Sequence, residues 1–236
     1  MPSSGLRVGV VGAGGRGGSF RNALHSLGAT VAAVCDLDLA KLATAKEALQ
    51  AEKAFTDYSQ MLQEGNLDAV VIGTPMPLHV SQSIAALQKG VHVLCEVTAG
   101  ISVEECKALV VAATRSSCLF MMAENLNYDR SCVAVNGLVD SGQMGEVYYA
   151  EGEYLHDVKQ LAISTPWRRK WQLGIRGLTY CTHPLGPIMR WFKGDRIVRV
   201  CCEDAGTHYT DATGEVCPQL WRSQFQTHVI CTLEQF

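Results

Sequence analysis

The residues best suited to chemistry near the start of the chain are glycines. The run Gly12-Ala13-Gly14-Gly15-Arg16-Gly17 directly follows a β-branched segment, Leu6 to Val11, and leads into a helix-like stretch. In that context a G-x-G-x-x-G spacing suits a dinucleotide. Gly12 permits a tight turn, Gly14 lets backbone approach a pyrophosphate, and Gly17 allows helix and strand to pack closely. With Gly15 and Arg16 they form a cradle in which a helix N-terminus offers unpaired N–H groups to an anion. Asp36, 19 residues beyond Gly17, can accept hydrogen bonds from both ribose hydroxyls, and its charge repels a 2′-phosphate, so NAD is expected rather than NADP. The alternatives are a glycine-rich turn without a ligand and an Asp36 that merely caps a helix. Thr74-Pro75 and Glu96 follow two further strand-like runs, where the ligand crevice of a parallel sheet lies.

Proton-transfer groups gather in the second half. Tyr180 and His183 are three apart at the entrance to an expected helix, Pro184 to Phe192, and project toward one cleft. A histidine beside prolines also fits a hydrogen-bonded structural role, and Tyr154 also fits a strand covering a sheet. His25, His92, His208 and His228 lack such a setting and read as structural or surface groups. Trp167, Trp171 and Trp191 read as packing at a domain junction, with stacking on a sugar ring as the alternative.

The elements that must position these groups follow from the hydropathy rhythm. Strand-like runs at Leu6 to Val11, Thr30 to Cys35, Ala69 to Ile72, His92 to Leu94 and Leu119 to Met122 alternate with helical segments. The helices are expected over Arg16 to Leu27, Asp38 to Ala51, Leu78 to Lys89 and Ser102 to Ser116, the last opening with Ser102 and Glu105 as a capping box. Each is long enough for a crossover, which predicts an α/β fold with a doubly wound parallel sheet. After Asn125 the rhythm changes to a helix near Asp129 to Ser141, a turn at Ser141-Gly142 and a strand-like stretch Glu146 to Tyr154. The segments Ile197 to Cys202 and Gln226 to Leu233 alternate like sheet. We therefore expect a dinucleotide domain over 1–123 and a second, α+β domain over 124–236 with an open, mainly antiparallel sheet. The sequence stops in mid-strand at Phe236, which suggests a shortened chain or an edge covered by another copy.

Composition narrows the class. With 47% hydrophobic residues, a net charge of −3 and a pI near 6.2, the chain can bury a core and has no basic footprint for nucleic acid or anionic membrane. Small molecules are the expected ligands. No apolar run reaches the roughly 18 residues of a spanning helix, and no targeting peptide is evident. The ten cysteines form no C-x-x-C pair and read as reduced, mostly buried thiols in a cytoplasm, with Cys201 and Cys202 on opposite faces of a strand. No metal site is expected.

These residues resemble the superfamily of glucose-fructose oxidoreductase and inositol dehydrogenase, whose members pair a Rossmann domain with an open-sheet α/β domain. Several segments are similar, more specifically, to glycoside hydrolase family 109, the NAD-dependent α-N-acetylgalactosaminidases. They are Cys95-Glu96-Val97, Glu124-Asn125 with Tyr128, Tyr154-Leu155-His156-Asp157, Trp167-Arg168 and Tyr180-Cys181-Thr182-His183-Pro184-Leu185-Gly186-Pro187. Dehydrogenases of the superfamily usually carry Glu-Lys-Pro where this chain has Glu96-Val97-Thr98, so their frequently catalytic lysine is absent. Thr98 and Cys181 also stand where family 109 tends to have proline, and Pro184 where it tends to have glycine. Members of the family extend well past the length of this sequence, which implies an incomplete substrate domain.

The resemblance assigns the Gly14 to Gly17 turn, Asp36, the loop from Thr74 through Pro75 to His79, Glu96, Val97 and Asn125 to NAD. It assigns Tyr154, Arg168, Tyr180 and His183 to substrate. The implied reaction moves hydride from carbon 3 of the sugar to the cofactor, acidifies carbon 2, eliminates the glycosidic group and, after water adds, returns the hydride; such glycosidases depart from the two-carboxylate scheme. Tyr180 or Tyr154 is then the base at carbon 2, His183 polarises or deprotonates the carbon 3 hydroxyl, and Arg168 anchors substrate oxygens. A phenol with a reference pKa near 10 needs a neighbouring cation or donor to serve as base, and Arg168 is a candidate. The alternatives are an NAD-dependent sugar or polyol dehydrogenase and a shortened protein that binds NAD without turnover. A homo-oligomer, a dimer or higher, is expected from the open sheet.

Overall fold

A computed structural model describes residues 5–154, 180–203 and 228–234. The chain divides into two compact units, Met1–Ala123 and Glu124–Phe236.

In the first unit six strands pair in the order β3-β2-β1-β4-β5-β6, all parallel. They are β1 (Arg7–Val11), β2 (Thr30–Cys35), β3 (Lys53–Phe55), β4 (Ala69–Ile72), β5 (His92–Cys95) and β6 (Phe120–Met122). The helices between them are α1 (Arg21–Ser26), α2 (Leu39–Ala48), α3 (Tyr58–Glu64), α4 (His79–Gln88) and α5 (Val103–Arg115). Alternation along the strands splits the core: Val70 and Ile72 of β4 join one buried cluster with Cys35, Val93 and Cys95, while Val71 joins a second with Val8, Val10 and Val34. Apolar side chains on both faces are what a sheet covered by helices on both sides requires. The strand order reverses between β1 and β4, and in open parallel sheets that reversal is where a crevice opens at the carboxyl ends.

The parallel, doubly wound sheet expected from the rhythm is present, with three departures. The single helix expected over Arg16 to Leu27 is a 3-10 turn, Arg16–Phe20, followed by the short α1. Gly17 and Gly18 favour helix poorly, and Gly15 offers no side chain to cap it. β3 and α3 were not expected: β3 has three residues, two of them exposed, too few for a visible alternation.

Glu146 to Tyr154 carries no strand. Tyr148 is 90% exposed, and the Tyr149 hydroxyl donates to the Glu151 carboxylate, so these aromatic residues have strand propensity but no ladder to join among the described residues. The other elements among the described residues of the second unit are a 3-10 turn, Asn125–Tyr128, then α6 (Arg130–Asp140), α7 (Thr182–Trp191) and an antiparallel pair, β7 (Arg196–Glu203) with β8 (His228–Glu234). Asp129 caps α6 by accepting from Ser131 N.

The thiols also differ from expectation. Of the described cysteines only Cys35 and Cys95 are buried; Cys106 and Cys201 are exposed, and Cys118, Cys132 and Cys181 lie between. The side chain of Cys202 lies outside the described residues. Among the described residues no helix is long and apolar enough to cross a membrane.

Candidate functional site

The glycine turn sits at the reversal point of the sheet, and its shape depends on missing side chains. Gly12 adopts φ 70°, a left-handed conformation that favours glycine, and a Cβ there would lie 2.5 Å from Gly73 O. Gly73, which follows β4, is as constrained: its Cβ would meet Gly17 N at 2.2 Å. Gly17 in turn lies against Val11 O and Gly12 O, which a Cβ would approach at 2.8 and 3.0 Å. Three backbone segments thus touch where only glycine fits. Gly12 N and Ala13 N donate to Cys35 O at 2.9 and 3.2 Å, which ties the turn to the end of β2.

That tie brings Asp36 into place. Its Oδ2 accepts from Gly14 N at 2.8 Å and its Oδ1 from Asp38 N at 3.0 Å. The cap of α2 is Asp38, which accepts from Ala40 N and Lys41 N, so Asp36 is not the helix cap and faces the glycine turn. A Cβ on Gly14 would lie 3.0 Å from that carboxylate and 2.4 Å from Lys41 Cβ. A bare turn beside a carboxylate fits the diphosphate and adenosine ribose of NAD.

The remaining residues expected at the cofactor sort by contact. Arg16 Nε donates to Glu96 Oε1 at 2.7 Å; Glu96 is buried after β5, and its Oε2 accepts from Val97 N at 3.2 Å. This ion pair ties the glycine turn to the end of β5. Thr74 Oγ1 donates to Gln82 Oε1 at 2.6 Å, and Pro75 opens a 3-10 turn, Met76–Leu78. His79 is 1% exposed, and both its ring nitrogens face backbone carbonyls, Nδ1 on Thr98 O at 2.7 Å and Nε2 on Thr74 O at 2.8 Å. Its ring joins two loops through both nitrogens. Asn125 is exposed in the second unit.

Within the second unit, Tyr154, Tyr180 and His183 come together. Ring centroids lie 4.4 Å apart for Tyr154 and His183, 5.5 Å for Tyr180 and His183, and 5.9 Å for the tyrosines. The helix α7 begins at Thr182, two residues before the expected start, so His183 stands in its first turn. Pro187 lacks the N–H that would bond to the His183 carbonyl four residues earlier. His183 Nδ1 lies 2.5 Å from Glu124 Oε1, with both residues buried. Glu124 Oε1 also accepts from Leu126 N at 3.2 Å. Glu124 was not expected at a site, because no spacing rule links residues so far apart in sequence. Arg168, with Trp167, Trp171, His208 and Leu155 to Asp157, lies outside the described residues.

Against this geometry stand the relatives. The Gfo/Idh/MocA family, described as an oxidoreductase family with an NAD-binding Rossmann fold, matches residues 6–124. The chain belongs to that family. A glycosyl hydrolase family 109 protein of Shewanella woodyi is 35% identical over 209 residues, 81% of this chain and 45% of that protein. An alpha-N-acetylgalactosaminidase of Shewanella oneidensis is 32% identical over 209 residues, 81% of this chain and 46% of that one. Myo-inositol 2-dehydrogenase from Lactobacillus plantarum superposes with a TM-score of 0.75 at 25% identity, covering 89% of this chain and 62% of the dehydrogenase. This member of the Gfo/Idh/MocA family thus spans about half the length of the curated relatives it matches. The family is NAD-binding. Among the described residues no group of three or more His, Cys, Asp or Glu could hold a metal ion.

Proposed function

We propose that the chain binds NAD through the glycine turn and Asp36 and takes part in NAD-dependent glycoside hydrolysis by transient oxidation at carbon 3 of a sugar. The observation that carries this reading is the Tyr154, Tyr180 and His183 cluster. It gathers three proton-transfer groups, as a reaction that removes a hydroxyl proton and a carbon-bound proton needs. Bound NAD supplies a hydride acceptor. His183 takes the proton of the carbon 3 hydroxyl, Tyr180 or Tyr154 takes the proton at carbon 2, and Arg168 anchors substrate oxygens. The name of the Shewanella oneidensis relative supports an α-N-acetylgalactosaminide as substrate class.

A second reading, an NAD-dependent sugar or polyol dehydrogenase, is favoured by the likeness to myo-inositol 2-dehydrogenase. Against it stands Val97, an aliphatic residue where such dehydrogenases usually have a lysine. Incubation with an aryl α-N-acetylgalactosaminide and substoichiometric NAD separates the two. Hydrolysis releases phenol with no net NADH, whereas accumulation of NADH on inositol without phenol release overturns the primary reading.

The free described thiols support a reducing, cytoplasmic setting. Exposed Val198 and Val200 on β7 support a homo-oligomer, which light scattering tests directly. The two-domain division at 123 and 124 is part of the same proposal, supported by the two compact units.

A further inference from the structure

The geometry points to Glu124 as the positioning residue that makes His183 a competent base, an inference that rests on the role proposed for His183 above. Glu124 is 2% exposed and His183 5%, and their side chains meet at 2.5 Å. A buried carboxylate is costly unless it is paired and hydrogen-bonded, so the contact needs a benefit elsewhere. The backbone is shaped to make it. Gly186, one turn along α7 from His183, is where the helix presses on the Asn125–Tyr128 turn: a Cβ there would lie 2.7 Å from Asn127 Oδ1 and 2.9 Å from Glu124 Cγ. Gly152 allows the same closeness on the other side, since its Cβ would meet Pro184 Cβ at 3.0 Å, and this brings Tyr154 over the histidine ring.

A carboxylate at Nδ1 fixes the proton there and leaves Nε2 as the atom that exchanges one, the division of labour seen when a carboxylate orients a catalytic histidine. In the oxidation, the substrate O–H bond breaks and its proton goes to His183 Nε2. The C–H electron pair leaves as hydride to the oxidised nicotinamide dinucleotide, and the C=O bond forms. The imidazolium that results sits beside Glu124, which stabilises it in a buried setting where charge interactions are strong. Return of the hydride reverses every transfer. The groups facing the ring among the described residues are Glu124 at the cap of the 3-10 turn, Tyr154 from the segment before residue 155 and Tyr180 two residues before α7.

The test compares wild type, Glu124→Gln, Glu124→Asp and His183→Ala. Nitrogen-15 NMR of labelled histidine reads which ring nitrogen carries the proton. Turnover is measured on p-nitrophenyl α-N-acetylgalactosaminide and on myo-inositol with NAD, across pH, and NAD binding by calorimetry. We expect an Nδ1–H ring in wild type and a shift of the proton to Nε2 in Glu124→Gln. We also expect a fall in kcat on the order of 10²- to 10⁴-fold with KM and NAD affinity held, and partial recovery in Glu124→Asp. An Nε2–H ring in wild type, an unshifted ring in Glu124→Gln, or wild-type kcat in that variant overturns the inference. If Glu124→Gln does not fold, the wild-type tautomer and the recovery in Glu124→Asp decide. Full turnover in His183→Ala, or none in wild type, sinks the reading of His183 instead; the tautomer then decides alone whether Glu124 orients the ring.

Discussion

Asp36 serves both the turn and the ligand reading, since one carboxylate oxygen holds Gly14 N and the other holds Asp38 N. An Asp36→Ala variant is expected to bind NAD roughly 10- to 100-fold more weakly by calorimetry, from hydrogen bonds to a charged acceptor worth about 1.5–3 kcal/mol, and to discriminate less against NADP. An unchanged NAD affinity would show that the carboxylate serves only the turn. A second residue-scale expectation concerns pH. Burial pushes the Cys95 thiol from 9.0 up to about 12 and, with the nearby Asp36 and Asp57 charges, the Cys35 thiol up to about 11. Both folded values are raised, so as pH climbs the unfolded chain loses these protons first. The stability the thiols contribute is whole below about pH 9 and declines from there toward about 11 to 12. Urea midpoints at about pH 8 and pH 10.5 measure the decline, which should be shallower in Cys95→Ala. Asp36 was legible because strand, turn and acid stand in fixed sequence order. Glu124, Gly73 and Gly186 were not, since each acts through a neighbour that only folding brings close.

The elements repeat that division between local and distant causes. Helix α5 was readable to the residue: Ser102 Oγ accepts from Glu105 N at 3.1 Å, and Glu105 Oε2 accepts from Ile101 N at 3.1 Å, both within a few residues. Replacing Ser102 by alanine should therefore cost about 1 kcal/mol in urea denaturation, with NAD binding retained. The ladders of β2 and β4 were readable because each is a short run of almost wholly buried residues that includes β-branched ones, Val31 and Val34 in β2 and Val70 to Ile72 in β4. Glu146 to Tyr154 was misread because strand formation needs a partner, which composition does not reveal. Crowding at the sheet reversal gives the sharpest contrast. Gly73→Ala places a methyl group 2.2 Å from Gly17 N, backbone against backbone, so nothing flexible can yield. It should cost on the order of 1–3 kcal/mol and weaken NAD binding with it. A variant with wild-type stability and affinity would show that the turn does not need this packing.

At the scale of the molecule, the residues read as gripping the dinucleotide, from Gly12 to Asp36 and on to Val97, fall in Met1–Ala123 except Asn125, whereas Tyr154, Tyr180, His183 and Glu124 fall in Glu124–Phe236. Ala123 N closes the first unit by donating to Cys95 O at 2.7 Å, and the very next side chain is the acid on His183. The peptide between them is thus a natural crossover point for recombination. Chimeras that graft the segment from residue 124 onward between relatives should inherit their preference for NAD or NADP from the amino-terminal parent and their choice of hydroxylated compound from the other. Under the proposed function, exchange at this one joint would let a lineage vary what is oxidised without redesigning the electron acceptor.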